Sequence, residues 1–370
     1  MRILHITTVR ELYSGQRRQL ESEVEAAQAA DLPWDTLAIH AGQPLNGFEK
    51  QIPRFFRSRL MIRAYGWITA IQRSREYDLI ILRDMQLDLF GPLLGLFVRN
   101  RFTVHHAKEI EELSVLRGGG FYSRVAVLLE KYVKPLTMRS SQGIAAVTGE
   151  IRDYEIARFP WLRDRTLVLP NGYAFRSSSV TGDARDANRR TFTFVCAEFT
   201  AWHGLDRLTD ALQSFEGRPG SVLAFHLVGR LNEEQQEMVE RVRSADVEIH
   251  CHGTLPKDAI DLLLAETDVA IGSLALDRQS LREAATLKVR EYLAAGVPVY
   301  ATHRDAALPE DFPYFRNDST GVSITHLLEM AQEVSGVSRT QVREASRVHL
   351  DKEEIMRSAL RQLGELRRTA

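Results

Sequence analysis

Cationic and acidic side chains with the spacing of an anion-binding site occur within residues 268–302. Arg278 and Lys288 supply positive charge, and both side chain types bind phosphate or diphosphate through charge-assisted hydrogen bonds. Glu291 follows Lys288 by three residues, so on a helix it lies one turn further along the same face. Its carboxylate could there accept hydrogen bonds from ribose or sugar hydroxyls. These residue types predict a site for a phosphate or diphosphate that carries a sugar or ribose.

The elements that must position these side chains are a strand, a helix and a second strand. The apolar run DVAIGS (268–273) is typical of a buried parallel strand, and TLKVREYLAA (286–295) predicts a helix. Gly296 closes this helix, and Pro298 prevents its continuation before the strand VPVYAT.

The start of this helix is the predicted anion site. Thr286 is the expected N-cap, so the unpaired backbone N–H groups from Leu287 onward and the positive end of the helix dipole lie beside Lys288. The alternative is that Lys288 and Arg278 are ordinary surface charges and that Glu291 only compensates the helix dipole.

These residues carry a family resemblance. The segment resembles the donor-nucleotide signature of retaining glycosyltransferases with two Rossmann domains, the GT-B fold, in which two glutamates stand eight positions apart, here Glu283 and Glu291. It is most similar to a subset from bacterial polysaccharide synthesis. The block AEFTAWHGLDRLTDAL (197–212) and the runs LVGR (227–230) and CHGTLP (251–256) occur in the order of this family.

The resemblance implies roles for three more residues. Glu283 is expected to face the donor sugar, with a solvated loop acid as the alternative. His203 stands where the wider family has a lysine, and it could still donate a hydrogen bond to a phosphate oxygen. In the first half, the strand FTVHHA (102–107) ends in two histidines, of which only one can face a substrate because neighbouring strand residues point to opposite faces. His106 is the predicted contact to the donor sugar.

Length and apolar pattern predict two domains. A chain of 370 residues with 44% hydrophobic residues is long enough for two full cores. Alternating strand-like and helix-length runs predict two doubly wound Rossmann-like α/β domains, with ligands in the cleft between them. The predicted divisions are an acceptor-side domain (1–175), a linker (176–190), a nucleotide-sugar domain (191–345) and a C-terminal helix (346–370) that packs back on the first domain in the family.

The first strand-to-helix turn contains a second candidate contact. Gly15 lies where a backbone would approach a ligand closely, and Arg17 or Arg18 could meet an anionic acceptor. No D-x-D pair is present, and the spacing of His and Cys matches no zinc site. A transferase that needs neither metal nor cofactor is therefore expected, with a UDP-sugar favoured over a GDP-sugar as donor substrate.

Charge and composition limit the partners. The net charge of −1 argues against a nucleic-acid partner, and two cysteines without a disulfide pattern indicate a cytoplasmic protein. The segment 54–75 has six arginines, four aromatic residues and no acid. It predicts peripheral contact with anionic lipid on the inner face of the cytoplasmic membrane, and the alternative is a solvated helix whose aromatic residues pack on the sheet.

The sequence therefore predicts a retaining glycosyltransferase. It would move a sugar from a nucleotide-diphosphate sugar to a glycan or polyprenyl-linked acceptor in bacterial cell-surface polysaccharide synthesis, such as lipopolysaccharide, capsule or exopolysaccharide. One alternative is a nucleotide-sugar epimerase or hydrolase of the same fold. Another is a non-catalytic nucleotide-sugar-binding subunit of an assembly complex.

Overall fold

Two compact α/β units make up the chain. The computed structural model describes residues 1–116, 121–175, 189–215 and 222–368. The first unit is Met1–Ala174 with Asp351–Ala370, and the second is Phe175–Leu350. Most of the predicted linker, residues 176–188, lies outside the described residues, and Arg189 and Arg190 are the first residues of a strand.

A parallel seven-stranded sheet forms the centre of the first unit, in the order β3-β2-β1-β4-β5-β6-β7. Its strands are β1 (Ile3–Thr8), β2 (Trp34–His40), β3 (Glu49–Gln51), β4 (Leu79–Arg83), β5 (Arg101–His105), β6 (Gly143–Ala146) and β7 (Thr166–Val168). All six residues of β1 are buried, as expected where both faces of a parallel sheet are covered. The sequence analysis does not predict the edge strand β3, because EKQ is short and polar.

Helices accompany this sheet. They are α1 (Ser14–Ala29), α2 (Met61–Arg73), α3 (Gly91–Leu94), α4 (Glu109–Leu116), α5 (Phe121–Tyr132), α6 (Lys134–Met138) and α7 (Gly149–Arg158). Short 3₁₀ turns occur at Arg54–Phe56, Gly95–Phe97 and Pro160–Leu162.

The second unit contains a parallel six-stranded sheet in the order β10-β9-β8-β11-β13-β15 and a separate parallel pair, β12-β14. The strands are β8 (Arg189–Glu198), β9 (Val222–Arg230), β10 (Val247–Gly253), β11 (Val269–Ile271), β12 (Glu283–Ala284), β13 (Val299–Ala301), β14 (Arg304–Asp305) and β15 (Phe315–Asn317). The prediction of two doubly wound α/β domains is confirmed.

The described part of the second unit has six helices. They are α8 (Leu205–Gln213), α9 (Glu233–Val242), α10 (Lys257–Glu266), α11 (Leu287–Ala294), α12 (Ile324–Glu333) and α13 (Arg339–Leu350), with 3₁₀ turns at Ala201–His203 and Leu276–Gln279. The apolar face of α8 is buried, with Leu205, Leu208 and Leu212 at most 5% exposed.

The last helix, α14 (Lys352–Arg368), belongs to the first unit. Its residues Met356, Ala359 and Leu363 are buried in the core of that unit. Lys352 Nζ lies 3.3 Å from the carboxylate of Glu23 in α1. The chain therefore returns to its first unit after the second is complete.

Helix α2 contains most of the basic aromatic segment 54–75. Trp67 is 1% exposed and lies in the core beneath the sheet, and the Phe56 ring contacts Tyr65 at 5.1 Å between centroids. Trp67, Phe56 and Tyr65 thus pack as in the alternative given above, whereas Phe55 is 78% exposed, and peripheral contact with lipid stays a prediction. Among the described residues, no helix is both long and apolar enough to cross a membrane.

Candidate functional site

Helix α11 ends as Gly296 predicts. The Gly296 N–H donates to the Leu293 carbonyl (3.0 Å), and the Val297 N–H donates to the Tyr292 carbonyl (2.9 Å), which is the Schellman pattern. Gly296 has φ +75°, and a Cβ there would lie 2.4 Å from the Arg339 carbonyl oxygen. Glycine is therefore required at this turn.

Lys288 lies in the first turn of α11, beside the carboxyl end of β8. Its Nζ is 3.1 Å from Cys196 Sγ and 5.0 Å from the centre of the Phe194 ring. One turn later the Tyr292 hydroxyl accepts a hydrogen bond from the Val195 N–H (2.8 Å), which fixes helix and strand together. Burial raises the pKa of the Cys196 thiol even though the Lys288 charge opposes the shift. Within the described part of the chain, no carboxylate pairs with Lys288.

The start of α11 offers unpaired donors. Thr286 is the N-cap residue, but its hydroxyl makes no capping hydrogen bond, and the buried Oγ1 has no partner among the described residues. Leu287 begins the helix, so the first N–H groups lack helical acceptors. Glu291 is half-buried one turn beyond Lys288 and has further contacts of its own. The hydroxyl, the N–H groups and the ammonium together suit a phosphate oxygen.

His203 lies close enough to Lys288 for that charge to act on its ring. Burial is the main cause that lowers the pKa of His203 to about 3, and the Lys288 charge lowers it further. A hydrogen bond with the Glu198 backbone acts in the opposite direction and raises this pKa. The Thr200 N–H donates to His203 Nδ1 (3.0 Å). The ring is therefore neutral at pH 7, with its proton on Nε2, and can donate to a ligand.

The turn that carries His203 is held against the loop after β11. The Leu274 N–H donates to the His203 carbonyl (2.9 Å). Gly204 follows with φ +74°, and a Cβ there would lie 2.9 Å from the Leu274 backbone. This glycine lets the two segments approach and so positions the histidine.

Arg278 is held by residues at the start of α8 and in the turn before it. Its guanidinium binds both carboxylate oxygens of Asp206 and donates to the Ala201 carbonyl (2.7 Å). The pKa of Arg278 is raised, chiefly by the hydrogen bond to Asp206. The phosphate contact of Arg278 stays a prediction.

Glu283 is fixed indirectly to α11. It lies in β12, opposite Arg304 of β14, and Asp305 of β14 forms a buried ion pair with Arg290 of α11. Glu283 and Arg304 line a cavity of about 620 Å³ whose lining does not include Lys288.

Sequence analysis missed His303 and Thr302, which directly follow β13. His303 is 2% exposed, and His303 Nε2 and Thr302 Oγ1 are buried without hydrogen-bond partners in the described ranges. Both residues line an open groove of about 1300 Å³ in the second unit. The Lys288 charge also acts on His303. Their position after the last residue of a parallel strand was the available signal.

In the first unit, His106 and not His105 lines a groove. This first-unit groove, of about 530 Å³, lies where β1, β4 and β5 end, at Thr8, Arg83 and His106. Burial and the charge of Arg83 lower the pKa of His106, so its ring is neutral. His106 Nδ1 and Thr8 Oγ1 are buried and have no partner among the residues described.

His105 points instead into a buried network of charges. Its Nδ1 is 3.0 Å from Glu109 and 3.7 Å from Glu155. Burial opposes the charged form, but the Glu155 and Glu109 carboxylates raise the pKa of His105 to about 9. Asp84, His105 and Glu109 have ligand atoms close enough for a metal, yet Lys134 already pairs with Asp84.

Four arginines and three acids line the first-unit groove. Arg83 is largely buried, and burial lowers its pKa to about 10, against the opposing charges of Glu112, Asp84 and Glu109; it stays protonated at pH 7. Burial raises the pKa of Glu112. Arg10 also lines the groove and forms no ion pair with any described residue.

Gly15 and Arg17 both lie in helix α1. Gly15 is the second residue of α1, and the described structure shows no positive φ there. Arg17 Nε donates to Glu49 at 2.8 Å, so this side chain is already paired. Gly15 and His106 belong to the first unit, whereas the other predicted site residues belong to the second.

Part of the chain matches a known protein family. Residues 189–337, within the second unit, match the family described as Glycosyl transferases group 1. The match begins with β8 and spans α11, so it includes Lys288, Thr286 and His203. No curated protein sequence matches the chain.

Solved structures with similar folds cover nearly the full chain. A lipopolysaccharide outer core galactosyltransferase, WaaB, is 12% identical with a TM-score of 0.62 and covers 97% of this chain and 99% of its own. Anabaena HepE, in complex with UDP and glucose, is 16% identical with a TM-score of 0.58 and covers 99% and 100%. WaaG, from lipopolysaccharide biosynthesis, is 15% identical with a TM-score of 0.55 and covers 99% and 93%. At these identities the likeness shows the fold.

Proposed function

We propose that the protein is a retaining glycosyltransferase that uses a nucleotide-diphosphate sugar. The observation that carries the proposal is the start of α11, where Lys288 has no carboxylate partner among the described residues and the Thr286 hydroxyl is buried and unpaired. A diphosphate would satisfy both groups and the free helix N–H groups. The match of residues 189–337 to the family Glycosyl transferases group 1 supports a glycosyltransferase over other nucleotide-binding proteins.

In the proposed reaction, the bond between the anomeric carbon and the donor diphosphate breaks while an acceptor hydroxyl bonds to that carbon. Negative charge grows on the leaving diphosphate. Lys288 and the N–H groups of α11 are fixed before the reaction, so they stabilise this charge without reorganisation. Neutral His203 adds a hydrogen-bond donor. In this proposal no metal is required for leaving-group stabilisation.

A UDP-sugar is the proposed donor. HepE is in complex with UDP and glucose, and an α-glucosyltransferase of similar fold, 9% identical over 98% of this chain and with a TM-score of 0.61, is in complex with UDP-glucose. The proposed acceptor is a glycan or polyprenyl-linked sugar in bacterial surface-polysaccharide synthesis. It would use the first-unit groove, whose Arg83 and Arg10 favour an acceptor with a negative charge such as phosphate.

A non-catalytic nucleotide-sugar-binding subunit is the second candidate. The observation in its favour is that Arg278 is already paired with Asp206 and His203 is neutral, which leaves Lys288 as the main cation. Such a protein would bind the donor but never release free nucleotide.

The test is a thermal-shift screen against UDP, GDP, ADP, dTDP, CMP and their common sugar conjugates. Ligand at about 100 times its dissociation constant stabilises the native state by about 2.7 kcal/mol, which is a readily visible shift. A shift with UDP and its sugar conjugates, followed by acceptor-dependent release of UDP, supports the transferase. Release without acceptor indicates a hydrolase, conversion of the sugar an epimerase, and binding without turnover the subunit. No shift with any nucleotide contradicts the donor site.

A further inference from the structure

Large apolar side chains are exposed together on the first unit. Leu93 is 66% exposed, Phe97 63% and Tyr132 64%. The same two stretches of chain also expose Leu89, Leu96, Leu128 and Leu136. Residues 89–136 thus hold seven of the fifteen exposed large apolar residues among those described, whereas the second unit holds only Leu262 and Val348. We name these seven residues the apolar surface.

The apolar surface is built on adjoining elements. Helix α3 packs against α6, and α6 packs against α5. The fully buried guanidinium of Arg101 joins the first two, because it donates to the carbonyls of Gly95 (2.7 Å) and Thr137 (2.5 Å). It also lies 4.9 Å from the Trp67 ring. The exposed side chains therefore stand on a rigid base.

The exposed charges of residues 88–99 and 124–139, the two stretches that carry this surface, have one sign. Four exposed cations belong to them, Arg99, Arg124, Lys131 and Arg139. The two acids of these stretches, Asp88 and Glu130, are only 7% and 2% exposed. Asp88 accepts a hydrogen bond from the Trp67 indole (2.6 Å), and Glu130 pairs with Arg158. Solvent therefore meets apolar and positive groups without exposed acids.

We propose that this apolar surface docks the protein on the anionic face of a lipid bilayer. Apolar side chains enter the interfacial region while flanking Lys and Arg contact anionic headgroups. A soluble protein rarely leaves such a patch uncovered. A second copy of the chain fits less well, because a self-complementary contact would bring the four cations against one another.

The docking surface differs from the segment favoured by sequence alone. In residues 54–75, Trp67 is buried and Phe56 packs on Tyr65, so only Phe55 (78%) and Leu60 (43%) remain as exposed large apolar side chains. The apolar surface shares α6 with the first-unit groove, since Lys134 of α6 binds Asp84 in the groove lining. Docking there would bring a lipid-linked acceptor near the groove, and this last step rests on the proposed function.

The test is co-sedimentation of the full-length protein with vesicles of phosphatidylcholine, with or without phosphatidylglycerol. Two double variants probe the surface, Leu93→Ser with Phe97→Ser and Lys131→Gln with Arg139→Gln. A matched control, Leu262→Ser with Val348→Ser, removes equally exposed apolar residues from the second unit (72% and 75%). Phe55→Ser tests residues 54–75, the segment that the sequence alone favours for lipid contact.

We expect binding to anionic vesicles that weakens in high salt, with at least a tenfold loss of partitioning in each surface double variant and none in the control. Equal binding of the surface variants and wild type overturns the proposal, as does binding lost only in Phe55→Ser. A lipid-independent dimer that Leu93→Ser with Phe97→Ser dissociates would identify a second copy as the occupant instead. The thermal shift by nucleotides should be unchanged in all variants, so failure of docking is separable from failure of the donor site.

Discussion

Arg290 of α11 and Asp305 of β14 form an ion pair in which both side chains are fully buried. The Arg290 guanidinium uses two nitrogens for the two carboxylate oxygens. Asp305 also accepts the Ala307 N–H at 3.0 Å. Because β14 pairs with β12, this ion pair fixes the strand of Glu283 to the helix of Lys288.

Replacing Arg290 with methionine should lower the free energy of unfolding of the second unit by about 3–5 kcal/mol, because Asp305 would be left as an unpaired buried charge. The double variant Arg290→Met with Asp305→Leu should recover much of this loss. The measurement is urea unfolding followed by circular dichroism. The control is Arg357→Met in α14, which breaks a half-exposed pair with Glu353 and should cost about 0–1 kcal/mol. Equal losses in the two single variants would contradict the role of the buried pair.

Lys288→Ala should reduce transferase activity by about 100-fold or more, the scale seen when one preorganised charge-stabilising group is removed. The protein should remain folded, because Lys288 forms no ion pair with a described residue. Steady-state release of UDP in the presence of acceptor measures the effect. Lys257→Ala is the control, since this exposed lysine of α10 pairs with Asp261 one turn later on the same helix. Near wild-type turnover in Lys288→Ala would remove the assignment.

Thr286→Val should separate ligand binding from helix capping. Because the Thr286 hydroxyl caps no N–H, the stability of the free protein should change by less than about 0.5 kcal/mol. Loss of one hydrogen bond to a charged phosphate should weaken nucleotide binding by about 1.5–3 kcal/mol. In the control, Thr148→Val of α7 removes a real cap, a 3.1 Å hydrogen bond from the Ile151 N–H, and should cost about 1 kcal/mol. Titration calorimetry and urea unfolding give the two quantities.

The sequence predicted strands and helices well where the spacing of apolar residues agrees with the capping, glycine and proline residues at the ends of an element. Helix α11 illustrates this, because Thr286, Gly296 and Pro298 mark its two ends within thirteen residues of chain. The strands β3, β12 and β14 were not predictable in the same way. Each has two or three residues, too few to show a period.

The site was predictable as a position but not as a set of contacts. The sequence indicated that Lys288 and Thr286 lie at a helix start, which requires only local structure. It did not reveal that Arg278 is paired with Asp206, 72 residues away, or that His303 lies near Lys288. Such contacts depend on the order of β8, β11 and β13 in the sheet. A single sequence carries no direct signal for that order.

The pH dependence of stability should contain a contribution from His203 on the acid side. Its folded-state pKa, about 3, lies below the ordinary value of 6.5, mainly because of burial and then because of the Lys288 charge. Between these two values the unfolded state binds more protons than the native state. The contribution is therefore fully present above about pH 6.5 and is lost progressively as pH falls toward 3.

His203→Gln should remove this contribution while it keeps a side-chain hydrogen-bond donor at the site. The free energy of unfolding, measured by urea at a series of pH values, should fall more steeply below pH 6.5 in wild type than in the variant. Carboxylates elsewhere titrate equally in both proteins, so the difference between the curves isolates His203. A difference that stays constant from pH 7 to 4 would mean that the ring has the same pKa in the folded and unfolded states. Below about pH 6.5, Lys288 and His203 would then both be cationic, and the phosphate site would carry one more positive charge than the structure assigns.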